Sequence, residues 1–226
     1  MKDLKAIRGL RHLQQLIDQG EHEHQDFKYL ISDARKIARS ISAFSNNDGG
    51  RLLIGVKDNG TIAGVRSEED LYMIEQAAER YCRPTVSVEF SAIKAGQGAV
   101  VFIASIPRAF ERPVEVVEAD GSLQAYYRVA DENITAHPLM VAAWRESTSQ
   151  EGTLITTTST EGDILAFMRS TAPAGATHRQ IALACHASLE TTARAITRLA
   201  SMGLLGFTYD GHQFLITLPP DEITAQ

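Results

Sequence analysis

Three carboxylates and two imidazoles crowd into six residues, Glu21-His22-Glu23-His24-Gln25-Asp26. Imidazole and carboxylate are the donors that divalent ions prefer, so this run invites a metal reading. It equally describes a solvated loop leading into a strand at Phe27 and Leu30, because donor density alone sets no coordination geometry. Just downstream lies the densest basic patch of the chain: Lys28, then Arg35, Lys36 and Arg39. Such a run is either a solvated helix face or a set of phosphate contacts. A further aspartate, Asp58, stands in Asp58-Asn59-Gly60, a hairpin-turn signal. Near the C-terminus, Arg179, Arg194 and Arg198 are spaced to share one face of a helical unit.

The elements that must position these groups can be read from periodicity. Ile37, Ile41 and Phe44 are spaced for one face of a helix over Asp33–Phe44, with the basic residues on its polar side. Asn46-Asn47-Asp48-Gly49-Gly50 ends it. Asn, Asp and Gly tolerate left-handed backbone, and adjacent glycines let another backbone or a phosphate come close. This corner is therefore a packing device or a binding edge. Leu52, Leu53, Ile54 and Val56 read as a strand covered on both faces, with Thr61–Val65 returning after the turn. Upstream, Leu4, Ile7, Leu10, Leu13 and Ile17 predict an amphipathic helix over 3–18, stopped at Gly20. Downstream, a helix over Glu68–Tyr81 precedes strands at Thr85–Ile93, Ala99–Ile106, Pro113–Val117 and Leu123–Val129, and a short helix at His137–Trp144. The fold expected is α+β, a mixed, largely antiparallel sheet with flanking helices.

The Ser/Thr-rich stretch 147–160 reads as a linker. Beyond it, 161–218 predicts helices Glu161–Ser170, Thr177–Cys185 and Leu189–Met202, then a hairpin around Asp210-Gly211. The starts are marked by Thr160 with Asp163, by the capping box Thr177/Gln180 and by Ser188. Leu189, Ala193, Ile196, Leu199 and Ala200 form the expected buried stripe of the third helix. Three helices plus a hairpin is the layout of a small winged helix-turn-helix domain. The organisation expected is thus 1–146, linker 147–160, and 161–218.

Bulk composition narrows the function classes. The 226 residues are 44% hydrophobic with net charge −6, so globular cores are expected and a strongly basic nucleic-acid binder is not. Residues 151–226 hold four Arg and seven Asp or Glu, a net −3, so phosphate contacts there must come from a local cluster. Cys82 and Cys185 lie far apart and form no metal-type pair, which fits free thiols in a reducing cytoplasm. The charged start lacks the apolar core of a signal peptide, and no run approaches the ~20 apolar residues of a membrane helix. A cytoplasmic protein without membrane association is expected. There is no Gly-x4-Gly-Lys-Ser/Thr phosphate loop.

Residues 21–146 resemble the Schlafen AlbA-type domain. The resemblance is carried by Glu21-x-Glu23-x-x-Asp26-Phe27-Lys28, Ser42-Ala43-Phe44-x-Asn46-x-x-Gly49-Gly50, Leu53-Ile54-Gly55-Val56-x-Asp58-x-Gly60, Gly64-Val65, Pro113 and Tyr127-Arg128. It implies a mixed α/β fold that binds nucleic acid, DNA or RNA. Some eukaryotic members cut RNA with a metal-held carboxylate trio, and the matching positions are Glu21, Asp26 and Asp58, with Asp26 where a glutamate is usual. The resemblance therefore carries an alternative function, a nuclease dependent on Mg²⁺ or Mn²⁺, with Lys28 at a phosphate. Otherwise no cofactor is expected. Residues 161–218 resemble the winged helix of Crp/Fnr-type regulators through His178-Arg179-Gln180-Ile181, Ser188-x-Glu190-Thr191-x-x-Arg194 and Leu199-x-x-x-Gly203-Leu204-Leu205. This implies that Glu190 and Arg194 face bases, while Thr177, Ser188 and Thr191 reach phosphates. Leu189 stands where a basic residue is common, and His186 stands where the turn usually has glycine, a position with positive φ. The reading overall is a DNA-binding transcriptional regulator acting as a homodimer.

Overall fold

The computed structural model of the chain describes residues 7–147, 157–172 and 174–219. The chain divides into two compact units, Met1–Ala136 and His137–Gln226. In chain order the first contains β1 (Ile7–Arg8), α1 (Leu10–Asp18), β2 (Gln25–Lys28), α2 (Ala34–Asn46), β3 (Gly50–Ile54), α3 (Glu69–Gln76), β4 (Cys82–Arg83), β5 (Glu89–Lys94), β6 (Val100–Ile106), β7 (Glu115–Val117), β8 (Leu123–Val129) and β9 (Glu132–Thr135).

The apolar run of β3 lies at the heart of this unit. Successive strand residues point to opposite faces, so an unbroken run must be covered on both. Leu52 and Ile54 join Phe102, Ala104, Ile106 and the helix residues Ile37, Ile41 and Phe44 in one core. Leu53 joins Phe27, Val101, Ile103 and the α1 residues Leu13, Leu16 and Ile17 in the other. Each buried Leu or Ile of this kind stabilises the fold by roughly 1.5–3 kcal/mol. The sheet order is β1-β5-β6-β3-β2. The outer pairs β1/β5 and β2/β3 are parallel, and β5/β6 and β3/β6 are antiparallel. A second, antiparallel sheet runs β4-β7-β8-β9.

Helix α2 contacts both sheets. Ten of its thirteen residues are buried, which is why its second face carries small polar residues rather than a solvated charge run. Ser42 Oγ donates to Val114 O at 2.7 Å, and Ser40 Oγ accepts from Asn133 Nδ2 at 3.0 Å. Polar groups walled in this way hold two layers together only if they are hydrogen-bonded, and these are.

Two local expectations change, and one strand was not expected. The helix expected over 3–18 begins at Leu10; Ile7–Arg8 instead pairs with β5, and residues 3–6 lie outside the described residues. A sheet edge offers unpaired backbone groups, and two residues of chain before Gly9 satisfy them. The return strand over 61–65 reduces to one bridge, Val56 with Ile62, around a tight turn closed by Lys57 N to Thr61 O at 3.0 Å. The polar strand β9 carries no apolar alternation, so nothing in its residues announced it.

The second unit contains α4 (Pro138–Ser147), α5 (Ser159–Thr171), α6 (His178–Ala184), α7 (Leu189–Ser201), β10 (Gly206–Tyr209) and β11 (Phe214–Thr217). The division falls after Ala136, and α4 packs on α7. The short helix expected near 137–144 thus packs with the C-terminal residues. Residues 148–156 of the expected linker lie outside the described residues, and Ser159 and Thr160 already belong to α5. That helix is capped by Thr158 with Glu161, a full capping box, two residues earlier than Thr160 with Asp163. The Thr177/Gln180 box and the Ser188 cap stand where expected. Ile164, Met168, Ile181, Ile196, Leu199 and Ile216 form the core. The buried face of α7 is Thr192, Ala195, Ile196 and Leu199, whereas Leu189 is 54% exposed in the open first turn.

Candidate nucleic-acid interface

The acidic run resolves into a knot of internal contacts. Asp26 and Lys28 are two residues apart on β2 and so lie on one side of it. Lys28 Nζ sits 2.8 Å from Asp26 Oδ2 and also donates to Phe27 O. From β8, Arg128 brings Nη2 to 3.7 Å from Asp26 Oδ1. Arg128 is 1% exposed; its Nη1 donates to Asn133 Oδ1 at 2.9 Å, and its guanidinium lies over the Phe44 ring. Its Nε is buried without a hydrogen-bond partner. Glu21 accepts from Phe27 N at 2.8 Å. Burial, followed by the hydrogen bond with the Asp26 carboxyl, pushes Glu21 up to about 7.

The two histidines are turned inward to the same turn. His22 Nδ1 accepts from His24 N at 3.2 Å, and His24 Nδ1 lies 3.0 Å from Gly49 O. Burial, then the neighbouring His24, Arg51 and Arg128, lower the His22 pKa and favour the neutral ring. Asp58 lies apart, exposed in the turn after β3. Among the described residues no three His, Cys, Asp or Glu side chains gather as they would around a metal ion. Asp26 faces two cations, Lys28 and Arg128, and Glu21, Asp26 and Asp58 do not gather into one trio in this arrangement.

The basic face of α2 is partly committed as well. Arg39 grips Glu118 through two bonds of 2.9 and 2.6 Å and lies over Tyr126. That pairing holds the Glu118 carboxyl below its usual range, while burial and Glu118 push Tyr126 up to about 12. Arg35 lies over the Tyr81 ring at 4.9 Å. Lys36 is exposed.

At the glycine corner the asparagines work through their side chains rather than through left-handed backbone. Asn46 Nδ2 donates to Val114 O and Tyr126 O, both at 2.9 Å, and its Oδ1 accepts from Val114 N at 2.8 Å. Asn47 exchanges two bonds with the main chain of Arg128. The glycines are packing devices. A Cβ at Gly49, where φ is +79°, would lie 2.9 Å from Arg108 N and Ile106 O; one at Gly50 would lie 2.3 Å from the Phe44 ring. Beside them a shallow depression of ≈ 270 Å³ is lined by His24, Asp48, Gly49, Gly50, Arg51 and Ser105.

The loop after β6 adds a feature that periodicity did not single out. Ala109 N donates to Ser45 O at 2.9 Å, Arg112 Nη1 donates to Asn46 O at 3.0 Å, and Arg108 Nη1 pairs with Asp48 at 3.0 Å. Burial, then Arg108, lower the Arg112 pKa. Between these anchors Phe110 is 94% exposed. The available signal was an aromatic between two arginines, Arg108-Ala109-Phe110-Glu111-Arg112, bracketed by Pro107 and Pro113.

In the second unit, Ser188 Oγ accepts from Thr191 N at 3.1 Å and shares a 2.9 Å bond with Thr191 Oγ1. Thr177 Oγ1 accepts from Gln180 N. The His178 ring reaches Leu189 O at 2.9 Å and ties α6 to α7. His186, in the turn between them, has φ +49°, the left-handed geometry for which glycine is usual. Ser188, Glu190, Thr191 and Arg194 share the first two turns of α7, and Glu190 and Arg194 form an exposed pair at 3.1 Å. Arg179 is exposed on α6. Arg198 instead turns to α5, where Nη1 meets the buried Glu161 at 3.0 and 3.3 Å.

Among the described residues no helix is long and apolar enough to cross a membrane. No curated protein matches the chain. A crystal structure of the DIP2311 protein from Corynebacterium diphtheriae is similar at 22% identity with a TM-score of 0.43, covering 85% of this chain and 34% of that one. The chain thus spans about a third of that protein. Residues 21–137 match the family described as Schlafen, AlbA_2, a stretch that ends beside the division at Ala136. It takes in the Glu21–Arg128 knot, the asparagine latch and the glycine corner, more than half of the 226 residues, and the chain belongs to the Schlafen AlbA_2 family.

Proposed function

We propose that this is a DNA-binding transcriptional regulator that reads duplex DNA through its C-terminal unit. One observation carries the reading: two capped helices, α6 and α7, joined by a tight turn with His186 at positive φ, present exposed polar side chains on the first turns of the second helix. That is the layout expected of a helix-turn-helix, with β10 and β11 as the wing. Arg194 is suited to the O6 and N7 acceptors of guanine, and Glu190 to the cytosine amino group. Their mutual ion pair is exposed on both sides, so little is lost when it opens onto bases. Ser188, Thr191, Thr177 and Arg179 surround that face with phosphate-directed groups. Arg198 is a positioning residue in this scheme, since it holds α7 to Glu161 of α5. Membership of the AlbA_2 family supports nucleic-acid binding by the first unit, where Lys36, with Arg35 and Arg39 beside it, offers phosphate contacts. One such helix gives limited affinity, and a homodimer formed through the first unit supplies two half-sites.

The test is selection of bound sequences from random duplex DNA, followed by titration of the best site. Arg194→Ala is expected to weaken that site by roughly 5- to 100-fold and to relax preference at one base position. Undiminished binding with unchanged preference would sink the assignment. The nuclease alternative places Glu21, Asp26 and Asp58 around Mg²⁺ or Mn²⁺. Labelled RNA and DNA incubated with manganese should stay intact; cleavage that disappears in Asp58→Ala would restore that alternative.

A further inference from the structure

Phe110 stands almost wholly in solvent, at 94% exposure, on a loop that is fixed rather than loose. Ala109 is bonded to Ser45 O, Arg112 to Asn46 O, and Arg108 to Asp48, all on the segment that ends α2 and enters the glycine corner. A Cβ at Gly49 would lie 2.9 Å from Arg108 N and Ile106 O, so the corner leaves no room between itself and this loop. Exposing a full aromatic ring on a rigid support is unfavourable in water, and the fold gives it no apolar cover. Its surroundings are charged instead. Arg108 and Arg112 flank the ring in sequence, and Arg51 lines the adjoining depression; Asp48 and Glu111 are the opposing carboxylates. Guanidinium groups are in excess here, although the chain as a whole carries −6. An exposed π-face on a loop that also carries Arg108 and Arg112 matches the chemistry of a nucleotide, with the base on the ring and a phosphate on a cation.

We propose that Phe110 is a stacking platform for an unpaired base and that Arg108 takes a flanking phosphate, so that the first unit holds single-stranded nucleic acid. Bases inside a duplex have both faces covered by their neighbours, so only a single strand, loop or end can offer a face to Phe110. The Arg108–Asp48 pair is exposed on both sides and readily opens toward a phosphate. Arg112 is a positioning residue that keeps the loop on Asn46. Stacking tolerates any base, so little sequence preference is expected. This site rests on the reading that the chain binds nucleic acid, and it is independent of α7.

The experiment uses the full chain with two labelled probes, oligothymidylate of about 16 nucleotides and a duplex of equal length, titrated by anisotropy at low salt. Phe110→Ala is expected to weaken oligothymidylate binding by roughly 5- to 100-fold and leave the duplex within about twofold. Phe110→Trp should restore binding, and its added fluorescence over the wild type, whose only tryptophan is Trp144, should be quenched by the oligonucleotide. Unchanged oligothymidylate affinity in Phe110→Ala overturns the platform. Absence of single-strand binding overturns it while leaving the regulator reading standing; failure to bind a duplex carrying the best selected site overturns the regulator reading instead. Loss of self-association or of a protein partner in Phe110→Ala, with oligonucleotide binding unchanged, assigns the ring to a protein contact and overturns the site.

Discussion

Arg128 heads the fully buried side chains by size, and its charge has to be answered inside the protein. Taking a guanidinium out of water costs several kcal/mol unless an anion and hydrogen bonds replace the lost hydration. Asp26, Asn133 and the main chain of Gln25 provide that replacement. Glu21 is the neighbour that suffers, because burial, and then the Asp26 carboxyl beside it, favour its protonated form. Its pKa is about 7 when folded and near the ordinary ~4.3 when unfolded, so the folded chain binds more protons between those values. Stability from this residue is therefore present at low pH and is lost as pH rises through about 7. The advantage in melting temperature of Glu21→Gln over wild type should grow from about pH 5 to about pH 8; a constant difference would show that Glu21 titrates normally. The donors in this knot were legible as residue types, and Tyr127-Arg128 as part of a family pattern. Their pairing was not, since Asp26 and Arg128 lie a hundred residues apart and meet only through the packing of β8 on α2.

At the scale of elements, α2 shows how a helix is read well by periodicity and misread by charge. Its apolar face placed it within two residues of its observed ends. The basic residues beside that face looked free because Glu118, Tyr126 and Tyr81, which engage Arg39 and Arg35, come from distant segments. Asn46 was read as part of the helix end, and with Ser40 and Ser42 it forms the seam with the second sheet. Asn46 satisfies one donor and two acceptors of the strand backbone there. Asn46→Ala would strip Val114 N and Tyr126 O of this partner, while Val114 O keeps Ser42 Oγ, lowering unfolding free energy by roughly 1–3 kcal/mol, as urea melts would register. A loss below about 0.5 kcal/mol would mean that water replaces the amide without penalty. The N-terminal helix was overextended for a related reason: residue spacing cannot report that an open sheet edge waits for Ile7 and Arg8.

Two units with separate cores divide after Ala136, and the expected organisation was 1–146, linker 147–160 and 161–218. The Ser/Thr-rich stretch 147–160 was read as the linker; α4 runs up to it and packs on α7, in the second unit. The fragment 137–226 should consequently unfold cooperatively on its own, which thermal melts followed by circular dichroism would reveal; a broad, featureless melt would mean its core is incomplete. The same fragment starting after α4 should be markedly less stable. Inside the first unit, the two-sided burial of α2 has a kinetic consequence. Solvent can reach its central amides only if one sheet peels away, and that separation breaks up the hydrophobic contacts shared by Ile37, Ile41 and Phe44. Deuterium uptake across residues 37–45 should accordingly follow the global opening of the unit, slower than uptake in α1 or the 57–61 turn, with no faster local route. Uptake in α2 at the rate of α1 would show that the sheets part independently. The helix at the glycine corner is in this sense the unit's clock: nothing around it can open lastingly while it stays closed.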